Sequence, residues 1–384
     1  MTPRSARTGL FATFASLGVT AAFVPAMLPA AQQTIGTELS VAVPALFAGL
    51  LIGVLASGPL LMRTNARITL MLGSGLQAAA IVAGAFASTP AMFIAAAAIA
   101  GFGFGLVEAS GSVAAKSMAV GSATGLLSAL LGTVAVCAAV TPLLVAAGVG
   151  ARPALSLLAA VPVVAVVLLA ASRPTAFGSA AGSGVPPHRD VGGLRILLPF
   201  AVALPLYVGV ETVLSGWSAV IPERLLALDP GVAALGTSAF WTLMAVGRFG
   251  AAALRRLATP PLVILAVSTS VAAVLMAATG LLVGTAPVWA LVALAVVVVL
   301  LAPSYGLILG LALDRLDTAR SAAVTGALVA CGAVGGTFVP TLVLLVGHDP
   351  ASRATFLVSA TLCAMVPVLM LIAARMPRQI APHS

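Results

Sequence analysis

The chain has 384 residues, of which 61% are hydrophobic and 7% charged, with a mean hydropathy of +1.20. About a quarter charged is usual for a soluble domain, so a water-facing surface is excluded and lipid is the main solvent. The net charge of +9 does not signal nucleic acid, because the arginines sit in short loops between apolar runs, where membrane topology places them.

Only helices and closed barrels satisfy every backbone polar group in lipid. Barrel strands alternate polar and apolar at short range. The runs here are long and continuously apolar, which predicts helices of roughly 20 residues. The first half gives spans 1 to 6 at 9–31, 39–62, 68–88, 91–115, 122–148 and 153–171. Span 1 follows Arg4 and Arg7, and PAMLPAAQ within it offers small residues for signal cleavage. Its apolar run is long for that role and many similar runs follow, so it is read as a span. A polar stretch, RPTAFGSAAGSGVPPHRDVGGLR, then runs from Arg173 to Arg195. Its Gly, Pro and Ser content predicts a flexible linker. Spans 7 to 12 follow at 196–221, 232–254, 261–283, 286–313, 322–346 and 351–374.

With the N-terminus cytoplasmic, fifteen of the eighteen Lys and Arg fall on the inside, leaving Arg152, Arg224 and Arg353 outside. Positive charge favours cytoplasmic loops, so both termini are expected inside a cell (plasma or inner) membrane. The domain plan is therefore a six-helix half (1–172), a cytoplasmic linker (173–195) and a second six-helix half (196–384). The fold class is an all-α membrane protein of twelve transmembrane helices in two pseudo-repeat halves, a transporter plan with a midplane site. It resembles the major facilitator superfamily. SGPLLMRTNAR at the end of span 2 and VGRFGAAALRR at the end of span 8 echo one another.

The superfamily's signature after span 2 resembles G-x-L-A-D-R-x-G-R-R, and this chain reads GPLLMRTNAR from Gly58 to Arg67. Gly58, Leu60, Arg63 and Arg67 match, which makes Arg63 and Arg67 gate or latch candidates. Met62 replaces the acid and Asn65 the second glycine, so the latch attributed to that acid has no counterpart.

Charges inside a bilayer are costly and usually functional. Seven of the nine acidic residues lie in loops or at span ends; Glu108 and Glu211 lie well inside spans 4 and 7. At roughly 100° per residue, Gly101, Gly105, Glu108 and Ser112 fall within about 60° of one another. Gly101, Gly105 and Ala109 also form a small-residue series that admits another backbone, and Gly103 points the other way. In span 7, Tyr207, Glu211, Ser215 and Ser218 make a second stripe, and Thr13, Ser16 and Thr20 make a weaker one in span 1. Glu108 lies on the cytoplasmic side of its span's midpoint and Glu211 on the periplasmic side of its own. The superfamily resemblance implies that spans 1, 4, 7 and 10 line a central cavity. A carboxylate withdrawn from water binds a proton more readily and can return it when the site reopens. Glu108 and Glu211 are thus the proton-coupling candidates; the alternative is a protonated side chain that merely bonds another helix.

GFGFGLVEAS (101–110), YVGVETVLSGW (207–217), FWTLMAVGRFG (240–250) and LAPSYG (301–306) are similar to spans 4, 7, 8 and 10 of fucose-permease-like transporters. That resemblance implies proton-coupled sugar symport, with the coupling role falling on Glu108. Two features depart from it: span 1 has no acid, and AlaSerGlySer follows Glu108 where an asparagine is usual. The cavity is also poor in the Asn, Gln and Asp that a sugar needs. Cavity candidates are Tyr207, Ser112, Ser215, Trp241, Ser304, Tyr305 and Thr20. Trp217 and Trp241 are candidates to stack on a substrate; the alternatives are an interfacial belt for Trp217 and packing for Trp241. Arg248 is expected either to snorkel to the cytoplasmic surface or to pair with Asp314 or Asp317 in a gate.

Proton-driven efflux of amphipathic compounds or metabolites is the competing transport reading. Span 5, GTVAVCAAVTPLLVAAG, lacks the usual antiporter glycine pattern, but an apolar cavity suits export. No nucleotide loop, zinc motif or nucleophile elbow is present, and His188, His348 and His383 lie in linker, loop and tail, so an enzyme is not expected. Cys137, Cys331 and Cys363 lie in apolar runs without metal-ligand spacing, so neither metal nor cofactor is expected. The expected partners are a small-molecule substrate, a proton and the lipid bilayer, with no nucleic acid, the chain acting as a monomer.

Overall fold

A computed structural model describes residues 3–118, 124–172, 191–256, 259–315 and 318–376. Residues 173–190 of the expected linker lie outside this range. The helices are α1 (Pro3–Ile35), α2 (Ala42–Arg63), α3 (Ala66–Ala85), α4 (Pro90–Met118), α5 (Thr124–Gly148), α6 (Ala160–Ala171), α7 (Val191–Gly216), α8 (Val220–Leu226), α9 (Pro230–Arg256), α10 (Pro261–Leu282), α11 (Pro287–Leu301), α12 (Ser304–Leu313), α13 (Thr318–Gly347) and α14 (Arg353–Arg375). Among the described residues, twelve helical segments are long and apolar enough to cross a membrane, as the hydropathy predicts.

Prolines start several of these helices. Pro90, Pro230, Pro261 and Pro287 each stand at a first position, where the missing N–H has no intrahelical acceptor to lose. Asn65 caps α3 by accepting the Ile68 amide at 2.9 Å, and Ser352 caps α14 by accepting the Thr355 amide at 3.2 Å. Large apolar side chains such as Val274, Leu281 and Trp289 remain exposed, as a lipid solvent requires.

Three expected spans are subdivided. Span 6 begins as 3₁₀ structure over Val149–Ala159, kinked at the non-helical Ala151, before α6. Span 7 ends at Gly216, and a turn then leads into the short α8. Span 10 breaks at Ala302 and Pro303 into α11 and α12. Pro303 cannot donate the bond that the Val299 carbonyl would receive in a continuous helix.

The chain divides into two compact units. The first holds residues 1–184, 218–223 and 228–241; the second holds 185–217, 224–227 and 242–384. In the first, α1 packs on α5, α4 and α6, and α4 packs on α2 and α3. Leu10, Phe14, Leu17, Leu70, Val107 and Leu169 form one buried cluster there. In the second, α7 packs on α13 and α14, and α10 on α11 and α14.

Candidate functional site

In the first unit, Glu108 follows a seam of glycines. A Cβ at Gly101 would overlap the Leu46 carbonyl oxygen of α2, and one at Gly105 the Leu50 carbonyl oxygen. α2 reciprocates with Gly49 and Gly53, which sit against the Ala98 and Phe102 carbonyls of α4. The two helices therefore meet backbone to backbone. Gly103 faces the opposite side and lies against Gly73 and Gln77 of α3. Beyond the seam, Glu108 is half-buried. Among the described residues, its carboxylate receives no hydrogen bond and no ion pair.

The neighbouring polar candidates of this unit are committed to their own helices. The Ser112 hydroxyl donates to the Glu108 carbonyl at 3.0 Å, and the Thr20 hydroxyl to the Ser16 carbonyl at 2.9 Å. Thr20 is buried. Trp241 packs edge-on to Phe240 with ring centroids 5.5 Å apart, and its indole N–H is buried without a partner among the described residues.

In the second unit, Arg248 and the break in span 10 join Tyr207 and Glu211 of the predicted stripe, a junction that the sequence did not predict. On α7, Tyr207 is 1% exposed and Glu211 lies one turn further on. Arg248 of α9 brings its Nη2 to 4.0 Å from Glu211 Oε1, and its Nε donates to the Ala302 carbonyl at 3.4 Å. Gly247 makes this approach feasible, because a side chain there would overlap the Val299 carbonyl. That carbonyl is the one left without its helical donor by Pro303. The Tyr207 hydroxyl lies beside the Glu211 carboxylate and the Tyr305 amide, yet makes a well-formed hydrogen bond to neither. Between Ala302 and Tyr305 in sequence stands Ser304, fully buried, its hydroxyl also without a partner among the described residues. Tyr207, Glu211, Arg248 and the break in span 10 thus converge on one place.

Several expectations are corrected. Arg248 pairs with Glu211 rather than with Asp314, which is exposed; Asp317 lies outside the described residues. Ser218 does not continue the Tyr207–Glu211 stripe, because α7 has ended at Gly216; its hydroxyl instead meets Thr237 at 2.8 Å. Ser215 turns back to the Thr212 carbonyl at 3.4 Å. Trp217 is fully buried where α7 ends.

Arg63 is exposed at the end of α2. Arg67 donates from Nε to the Leu169 carbonyl at 2.7 Å and from Nη2 to the Ala170 carbonyl at 2.6 Å. It therefore holds the C-terminus of α6. A cavity of about 320 Å³ in the second unit is lined by Phe200, Leu311, Asp314, Arg315 and Met376, and none of the predicted site residues reaches it.

Gln77 was missed. It is fully buried on α3, and its Oε1 accepts a hydrogen bond from Ser16 of α1. Among the described residues, its amide N–H₂ and the Ser74 hydroxyl have no partner. A lone glutamine inside GLQAAA was a legible signal.

A family model described as Major Facilitator Superfamily matches residues 9–340. No curated protein matches the chain in sequence. Among solved structures, a D-xylose-proton symporter superposes with a TM-score of 0.78 at 14% identity, over 97% of this chain and 98% of that one. The E. coli fucose:proton symporter gives 0.64 at 16% identity, over 96% and 98%. A bacterial homolog of the human lysosomal transporter Spinster gives 0.80 at 12% identity, with both chains fully covered. At these identities the likeness is one of fold.

Proposed function

The chain belongs to the major facilitator superfamily and is a multi-pass membrane transporter, and we propose that it is a proton-coupled secondary transporter of a small organic solute. It moves its substrate by alternating access, as a monomer, and performs no chemistry on it. Its place is the cell membrane, with both termini cytoplasmic, as the distribution of arginines supports.

The observation that carries this reading is the isolation of Glu108. It is a carboxylate inside a spanning helix, half-buried, with no cation and no hydrogen-bond donor from any described residue. An unpaired carboxylate is far less costly in a low-dielectric site as the neutral acid. Glu108 accordingly takes up a proton when occluded and releases it when its site opens to water. Glu211, with Arg248 as its counter-charge, is the second titrating group. Conformational change is gated by these two protonation states.

A sugar-type symporter fits the fold neighbours, whose printed names include xylose and fucose. Export of a weakly polar compound is supported by a different observation. Thr20, Ser112 and Ser215 all donate to backbone of their own helices, so these three hydroxyl hydrogens are not offered to a polyol.

The test is the Glu108→Gln variant in proteoliposomes. It should abolish accumulation driven by an imposed pH gradient while leaving counterflow exchange measurable. Undiminished accumulation would remove Glu108 from the coupling role. Accumulation into inside-out vesicles identifies export.

A further inference from the structure

We propose that the cluster around Arg248 in the second unit binds a carboxylate of the transported solute, so that the substrate is an organic acid. The proposal rests on the transport reading above and adds the substrate's chemical class.

The first observation is the looseness of the ion pair. A firm charge-assisted hydrogen bond between nitrogen and oxygen spans about 2.7–2.9 Å, whereas Arg248 Nη2 stands 4.0 Å from Glu211 Oε1. The guanidinium is about half exposed and the carboxylate one-fifth exposed, at 46% and 20%. Among the described residues, Arg248's one hydrogen bond is the 3.4 Å contact from Nε to the Ala302 carbonyl. A guanidinium carries five donors in a planar fork suited to a carboxylate, and most of this fork is uncommitted.

The second observation is independent of the first. Two hydroxyls beside the same helix break, Tyr207 at 1% exposure and Ser304 at 0%, make no well-formed hydrogen bond among the described residues. Buried polar groups in native proteins are nearly always paired, so a pair of orphaned hydroxyls marks a place where a polar ligand completes the structure. They flank the span-10 break, where Tyr305 also presents its amide near the Tyr207 hydroxyl. Arg248, the Tyr207 hydroxyl and the Tyr305 amide thus gather at the break, with the Ser304 hydroxyl on the first turn that follows it, a set of donors for an anion. A sugar would instead require several acceptors, and the cluster supplies one carboxylate already facing Arg248.

Glu211 then serves as the internal competitor. Its electrostatic neighbours among the described residues are Arg248 and Tyr207. The helices packed on α7, which include α12, α13 and α14, add none to it. Ionised Glu211 holds Arg248; protonated Glu211 releases it to the solute's carboxylate. Proton and acid would therefore enter the site together.

The experiment measures thermal stabilisation of the purified full chain in detergent at neutral pH, without any gradient. The probes are benzoate, 3-phenylpropionate and lactate, each beside its uncharged amide, with xylose and fucose as neutral polyols. The acids should raise Tm and the amides should not. Arg248→Gln should remove the effect, and Arg248→Lys should retain it at lower affinity. Tyr207→Phe should weaken the acid about tenfold, the loss expected for one hydrogen bond to a charged group. Glu211→Gln, which mimics the protonated acid, should tighten it about tenfold. The proposal is overturned if amides or sugars match the acids, if acid stabilisation survives in Arg248→Gln, or if none of the three acids raises Tm. Since no gradient is present, failure of the coupling reading appears in vesicles alone, and failure of the anion site appears in this assay.

Discussion

Ser16 on α1 donates its hydroxyl hydrogen bond to Gln77 Oε1 on α3, and both side chains are fully buried in the first unit. The bond ties together two helices whose partners stand 61 residues apart in sequence. The Gln77 amide N–H₂ has no partner of its own among the described residues, so the pair is half satisfied.

That asymmetry predicts an order of damage. Ser16→Ala leaves both polar ends of Gln77 buried and unpaired, at a cost of about 1–3 kcal/mol. Gln77→Leu removes both ends in nearly the same volume, and Ser16 can turn back to its own helix, so it should cost less. The double variant should be close to Gln77→Leu alone. Thermal unfolding in detergent measures all three. A larger loss in Gln77→Leu than in Ser16→Ala would show that the amide serves something other than the Ser16 bond.

The glycine seam predicts a position-dependent response. Gly101→Ala and Gly105→Ala place a methyl group into the Leu46 and Leu50 carbonyls, so α2 and α4 must separate, costing about 1–3 kcal/mol each. Gly58 and Gly75 have nothing within 4 Å of the same position. Alanine there should be neutral or stabilise by up to about 1 kcal/mol through helix propensity. Yield of monodisperse protein and Tm report the contrast, and equal behaviour at all four positions would refute a backbone-to-backbone seam.

Arg63 and Arg67 should separate into two kinds of residue. Arg67→Ala removes two charge-assisted bonds to the last carbonyls of α6, with an expected cost of about 1–3 kcal/mol after allowance for partial exposure. Arg63 is exposed, and Arg63→Ala should leave stability within about 0.5 kcal/mol. A gating role for Arg63 therefore requires slower transport at unchanged Tm. An unchanged rate as well would remove it from the gate.

Much of the seam was legible because its signals are local. Gly101, Gly103 and Gly105 alternate across two faces of a single helix, and both faces proved to be close contacts. Glu108 and Glu211 stood out because a carboxylate in an apolar run needs no partner to be noticed. The stripe through Ser218 failed for the opposite reason. Helical periodicity extrapolates without limit, and the end of α7 at Gly216 was not marked by a strong stop signal. The approach of Arg248 to Glu211 was not legible, because the two lie on different helices 37 positions apart and nothing local links them.

The sequence by itself determined the solvent, the helical class and the twelve spans, because hydropathy acts on each segment separately and lipid tolerates no unpaired backbone. The tertiary structure alone decided which polar atoms meet. Arg248 reaches Glu211, and Tyr207 and Ser304 are left unpaired at the break in span 10, through the way α7, α9, α11 and α12 pack. That packing depends on Gly247 against Val299 and on the bond that Pro303 cannot make. Such close approaches fix side-chain positions to within an ångström, a precision that no periodicity along the chain encodes.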